Sequence, residues 1–216
     1  MEDQLKNRPA AAPAPVLSKA DINLLPLRRY EGPVEVIGDD ERLRTVMPEL
    51  HAEKVLGFDI EVRPTFKSGD HFPPALVQLA GRGKVYLVQL KKIKALHLLG
   101  ELFADARVIK AGVAVQGDID KLHEVMRFAP AGFVELGKMA GKAGIKANGV
   151  RTLAARLLGL RVSKRAQCSN WERSALAPAQ VVYAATDAWV CREIFLCLER
   201  SVPAQFLGEK RGGRKP

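Results

Sequence analysis

Five oxygen-bearing side chains spread over about 130 residues carry the chemical potential of this chain. They are Asp59 and Glu61 in Phe58-Asp59-Ile60-Glu61, Asp118 directly after Gly117, and Tyr183 and Asp187 in Tyr183-Ala184-Ala185-Thr186-Asp187. The first pair closes an apolar run, Val55-Leu56-Gly57-Phe58, and alternate residues of a strand share a face, so both carboxylates point the same way. Tyr183 and Asp187 are four residues apart in a segment of helical period, which stacks a hydroxyl and a carboxylate one turn from each other. Taken singly these are ordinary patterns: a tyrosine on a core beside a surface-paired aspartate, or a strand ending in a solvated acidic loop. Taken together they read as a metal site, because carboxylates packed against a core strand repel one another unless a cation neutralises them. Such a site is suited to cutting phosphodiesters.

The elements that must hold these residues alternate between strand and helix periods. Residues 54–60, 75–80 and 84–89 read as strands, and the short Gly81-Arg82-Gly83 link predicts an antiparallel hairpin between the last two. A helix is expected over 93–103, a strand over 108–112, and a helix over 117–128 with Asp118 in its first turn. Residues 133–136 form a short strand candidate and 150–158 a helix with Leu153, Leu157 and Leu158 inward. The last helix runs from about 178 to 200, with Pro178 in its first turn.

The 216 residues, 47% of them apolar, suit one catalytic domain with a sizeable core. A formal charge of +10 favours a polyanionic partner such as nucleic acid. Residues 1–33 read as an arm, extended through the Ala/Pro stretch at 9–15, and residues 202–216 as a glycine-rich basic tail able to touch phosphates. The three cysteines show no C-x-x-C spacing and the chain shows no secretory leader or apolar span. A soluble, intracellular, cytoplasmic protein is expected, with reduced thiols and no membrane association.

The motif residues resemble a known family. Val55-Leu56-Gly57-Phe58-Asp59-Ile60-Glu61, Lys110-Ala111-Gly112-Val113-Ala114-Val115-Gln116-Gly117-Asp118 and Tyr183-Ala184-Ala185-Thr186-Asp187-Ala188 are similar to the three motifs of the DEDDy 3′-5′ exonucleases. The likeness is to the Werner-syndrome-type exonuclease domain first and to ribonuclease D next. Ala75-Leu76-Val77-Gln78-Leu79-Ala80 and Cys168-Ser169-Asn170-Trp171 agree with it, and it covers about residues 34–200. It implies an α/β, ribonuclease-H-like three-layer fold, a mixed five-stranded sheet flanked by helices, with the exonuclease domain at 34–201. It implies two Mg²⁺ or Mn²⁺ ions: Asp59 bridging both, Glu61 and Asp187 on the ion that holds the attacking water, and Asp118 supporting the other, directly or through water. Tyr183 would orient or deprotonate that water. The oxygen-only set fits these hard cations and not zinc, since no His or Cys ligands are grouped.

Asp120, two residues after Asp118, is a rival ligand, but a helix turns it roughly 200° away, and Asp118 occupies the family's place after Gly117. Relatives often carry an aromatic residue where Asp120 stands, which bears on substrate preference. Asp70 and Glu135 are assigned to loops or caps. Leu76, Gln78, Lys164, Arg165 and Trp171 are the expected substrate contacts, the basic pair through phosphates. The implied reaction releases nucleoside 5′-monophosphates from a nucleic acid with a free 3′ end, DNA ahead of RNA. The competing readings are ribonuclease-D-like RNA 3′-end processing, a nuclease-like module that binds without cutting, and a protein-interaction scaffold. Loss of a carboxylate or of the tyrosine would favour the non-cutting module, and none is lost. No protein partner is named by the residues.

Overall fold

In the computed structural model the described residues are 17–65, 69–147 and 149–201. The Ala/Pro stretch at 9–15 and the basic tail at 202–216 lie outside them.

Six strands form one mixed sheet: β1 (Val34–Ile37), β2 (Val55–Val62), β3 (Pro74–Ala80), β4 (Val85–Gln89), β5 (Ile109–Gly112) and β6 (Phe133–Glu135). Their order is β1-β4-β3-β2-β5-β6. β3 runs antiparallel to β2 and β4, while the pairs β1/β4, β2/β5 and β5/β6 are parallel. The Gly81-Arg82-Gly83 link does join an antiparallel pair, with Ala80 opposite Val85. Five expected strands are present, and the sheet has one more than the resemblance implies. The addition is β1, a four-residue edge strand whose Val36 is 41% exposed, so it lacks the buried alternation that marks a strand in sequence.

Helices cover both faces, giving three layers. α2 (Asp40–Ala52), α3 (His97–Ala104) and α4 (Val115–Leu122) lie on one face, where Leu43, Val46 and Leu50 join Leu99, Phe103 and Leu122 against Phe58, Val77 and Val88. α5 (Leu136–Lys142), α6 (Val150–Leu158) and α7 (Pro178–Ser201) lie on the other, centred on Leu153, Ala154, Val190 and Ile194. A further short helix, α1 (Lys19–Leu24), stands within residues 1–33, which read as an arm with no helix expected. Ser18 and Asp21 form a capping box there, each side chain accepting from the other's backbone N–H, so local hydrogen bonding starts a helix that buries none of its residues. α3 begins at His97 instead of 93 because Leu90–Lys92 form a separate 3-10 turn. α4 spans 115–122 instead of 117–128, still with Asp118 in its first turn. Among the described residues no helix is long and apolar enough to cross a membrane.

The alternation of β2 explains the placement of the acids. Leu56, Phe58 and Ile60 face α2 and α3. The intervening Gly57, Asp59 and Glu61 therefore face α7. A side chain at Gly57 would run into the Ala188 carbonyl oxygen and stand 2.8 Å from the Arg192 nitrogen, so only glycine lets this helix lie directly on the strand. Small residues of α7, Ala184, Ala185 and Ala188, are wholly buried along the same contact. Gly57→Ala is expected to destabilise the fold by about 3 kcal/mol or more through overpacking, and to move Asp187 away from Asp59. Chemical denaturation would measure the loss, and an unchanged midpoint would show that the helix yields freely.

Candidate metal centre

Asp59 and Glu61 sit where β2 ends, and the pairing register shifts between Glu61 and Val62, a bulge of the kind that re-aims side chains beside active sites. Asp187 comes down from α7. Asp59, Glu61 and Asp187 each place a carboxylate oxygen within 4.8 Å of the others. Glu61 and Asp187 are each only 8% exposed. Asp118, from the first turn of α4, stands outside this trio but close enough for its charge to act on Asp59 and Glu61. Asp120 is exposed on the opposite side of α4 and accepts a hydrogen bond from the Gln116 amide at 2.9 Å.

Position of α4 depends on Glu135. Its carboxylate caps α5 through the Gly137 N–H at 3.2 Å and also accepts the Val115 N–H at 3.0 Å, tying the starts of two helices together. Ala114, before α4, has φ 59, a left-handed conformation unusual for a residue with a Cβ. The turn that presents Asp118 is thus held by Glu135.

The electrostatics are those of crowded, dehydrated anions. Burial, then Asp187, Asp118 and Glu61, raise the Asp59 carboxyl well above its ordinary range. Burial and the Asp187 charge push Glu61 up to about 8, and burial pushes Asp118 to about 7. Asp187 is raised by burial, an effect that the nearby Tyr183 hydroxyl and the Lys164 charge offset. Tyr183 is pushed up by burial and by the Asp187 charge, so its phenol keeps its proton beside that carboxylate. This arrangement is unfavourable without positive charge at its centre. An all-oxygen donor set with this spacing fits a hard divalent cation.

Among the expected substrate contacts, two groups separate. Lys164 lines the cavity of about 740 Å³ that opens over the acids, and Arg165 lines a neighbouring one. Leu76 and Gln78 are 0% exposed and Trp171 is 1% exposed, and none of the three lines either cavity. Leu76 and Gln78 lie on β3 directly opposite Glu61 and Asp59. The Gln78 amide is near enough to favour ionised Glu61 but falls short of hydrogen-bond geometry, leaving both amide atoms buried without a partner. The Trp171 ring packs 6.0 Å from that of Tyr183 and fixes its orientation, while the indole N–H donates to the Gln167 carbonyl.

Residues that the motifs do not announce also line the acidic cavity: Lys19, Ile22 and Asn23 of α1, and Arg151 and Thr152 in the first turn of α6. The Arg151 Nε is buried without a hydrogen-bond partner. No spacing rule connects these segments to the acids. Gly57 did carry a signal, a glycine inside an apolar strand, which marks a close backbone approach.

A mixed sheet covered by helices on both faces, with carboxylates from its central strand and the overlying helix gathered at one edge, defines a ribonuclease-H-like nuclease domain. The chain belongs to the 3′-5′ exonuclease family, whose model matches residues 34–203. It is 36% identical over 199 residues to "Exonuclease 3'-5' domain-containing protein 2" of Drosophila melanogaster, an alignment spanning 88% of this chain and 33% of that protein. It is 31% identical over 169 residues to a ribonuclease D of Gluconacetobacter diazotrophicus, spanning 76% of this chain and 42% of the relative. The chain thus corresponds to less than half of either relative. The Nibbler EXO domain of Aedes aegypti superposes with a TM-score of 0.72 at 21% identity, over 82% of this chain and 91% of that one, a likeness of fold.

Proposed function

We propose that this chain is a divalent-metal-dependent 3′-5′ exonuclease that removes nucleoside 5′-monophosphates from the 3′ end of nucleic acid. The observation that carries the reading is the meeting of three carboxylates within 4.8 Å of one another, with a tyrosine one helical turn from one of them, in a chain of the exonuclease family. Asp59, Glu61, Asp118 and Asp187 would hold two Mg²⁺ or Mn²⁺ ions, which supply charge stabilisation for the attacking and leaving oxygens of an in-line displacement. Asp59, whose carboxyl feels the charges of Asp187, Asp118 and Glu61 together, would be the ligand shared by both ions. Glu61 and Asp187 hold the side where water attacks, next to Tyr183. The Tyr183 phenol, fixed by Asp187 and Trp171, orients that water. Lys164, which lines the cavity and whose charge favours ionised Asp187, is placed for a substrate phosphate.

The positive charge of the chain supports a polyanionic substrate, DNA included, and the likeness to ribonuclease D supports RNA as a second polymer. The test is a time course on 5′-labelled single-stranded DNA, recessed-end duplex DNA and single-stranded RNA with Mg²⁺ or Mn²⁺, and with EDTA. A metal-dependent ladder shortening from the 3′ end is expected, and the relative rates assign the polymer. Binding without a ladder in either metal would make the chain a non-cutting module. Tyr183→Phe is expected to lower kcat by about 100-fold with little change in KM, because the hydroxyl acts on the water and not on the strand. An unchanged kcat would remove Tyr183 from the reaction.

A further inference from the structure

We propose that a second groove, walled by residues 27–31 and by the segment from Arg165 to Val182, is a track for the single strand whose 3′ end occupies the acidic cavity; this rests on the exonuclease reading. The groove has a volume of about 900 Å³ and shares Ser163 and Tyr183 with the acidic cavity, so the two are continuous around the catalytic tyrosine. Four arginines line it, Arg28, Arg29, Arg165 and Arg173. Of these four, only Arg29 has a carboxylate partner among the described residues, Glu31 at 3.7 Å. The floor between them is apolar: Leu27 is 52% exposed and Val182 is 36% exposed, two of the four large hydrophobic side chains left exposed among the described residues. Unpaired guanidinium groups beside exposed apolar surface match a strand that presents phosphates and base faces together.

The wall at residues 27–31 precedes the region matched by the family model, which starts at residue 34. It is firmly seated. The Arg28 N–H donates to the Arg161 carbonyl at 2.9 Å, the Arg161 N–H to Pro26 at 3.0 Å, and the Tyr30 N–H to the Thr186 hydroxyl at 3.0 Å. The Tyr30 ring also packs 6.1 Å from Trp189. These anchors are backbone and aromatic, which leaves the Arg28 and Arg29 side chains facing the groove. An acidic peptide would satisfy the arginines equally, but it would gain nothing from continuity with a cavity lined by carboxylates. A phosphodiester strand spans both, through cations at one end and guanidinium groups along the other.

Binding of labelled strands in EDTA, measured by fluorescence anisotropy across salt concentrations, tests the track with the double variant Arg28→Gln and Arg173→Gln. Both side chains are exposed, so the melting temperature should match that of the parent. For a strand of about twelve nucleotides the expected result is roughly tenfold weaker binding. The slope of log affinity against log salt should fall by about 1.4, near 0.7 for each lost phosphate contact. In cleavage with Mg²⁺ or Mn²⁺, KM for that strand rises while kcat holds, and a dinucleotide is cut as before. The Arg28→Lys and Arg173→Lys pair should recover most of the slope. Wild-type affinity and slope in the Gln variant, with the parent still cutting, would overturn the track, as would a groove that holds polyglutamate and not the strand. Absence of a ladder from the parent itself would instead strike at the exonuclease reading.

Discussion

Asp59→Asn abolishes cleavage, by about 10³-fold or more, while making the metal-free protein more stable near neutral pH. The first half follows from position. Asp59 is the carboxylate on which Asp187, Asp118 and Glu61 all act, so in the proposed site its loss would weaken the hold on every cation in the cluster. Loss of that charge stabilisation removes several kcal/mol from the transition state, and each ~1.4 kcal/mol is a factor of ten in rate. The second half follows from the same crowding. Asparagine nearly matches aspartate in shape, keeps an oxygen for the Ile60 N–H that Asp59 now accepts at 2.9 Å, and removes a carboxyl that must either ionise among three others or take up a proton on folding. Activity and stability therefore change in opposite directions, the pattern of a site whose ligands are arranged at the expense of the fold. Steady-state cleavage and thermal melting of the same preparation decide it. Retained cleavage would sink the assignment of the site. Lost cleavage with a lower melting temperature would mean that the substitution damages the strand.

How far this was legible in sequence depended on whether the determining contact was local. The strand carrying Asp59 and Glu61 is marked by its apolar run and by two-residue alternation, α6 by its inward leucines, and α7 begins where its proline signal stands. α2 was not marked in the same way, although Leu43, Val46, Met47 and Leu50 are buried at helical spacing. Pro48 interrupts its pattern, and only the packing of that apolar face on the sheet carries the helix past it. α5, Leu136–Lys142, contains two glycines and owes its start to the Glu135 cap, which helix propensity does not register. At the site, residue type and spacing named the acids and Tyr183. Burial then separated exposed Lys164 and Arg165 from enclosed Leu76, Gln78 and Trp171. That difference arises from where α7 lies on β3, a contact between segments about a hundred residues apart.

Removing divalent metal is expected to make stability fall as pH rises from about 5 to about 8, and restoring it to reverse the trend. The folded-state values of Glu61, about 8, and Asp118, about 7, stand above their ordinary values of 4.5 and 3.8. Between those limits the folded chain holds protons that the unfolded chain has released. A group with a raised folded value contributes its full stability below the unfolded value and loses it as pH passes through the folded one. The cost of one ionised carboxylate is on the order of a few kcal/mol, which for a chain of this size corresponds to roughly 5–10 °C in Tm. In the proposed site Mg²⁺ or Mn²⁺ would take the place of those protons, so the Tm gained on adding the ion should be small near pH 5 and large near pH 8. Calorimetric titration in buffers of different ionisation enthalpy should register proton release on metal binding near pH 7, and Glu61→Gln should flatten the metal-free pH dependence. A gain in Tm independent of pH, with no proton released, would mean that the carboxylates are already ionised in the empty site and that something other than the cation neutralises them.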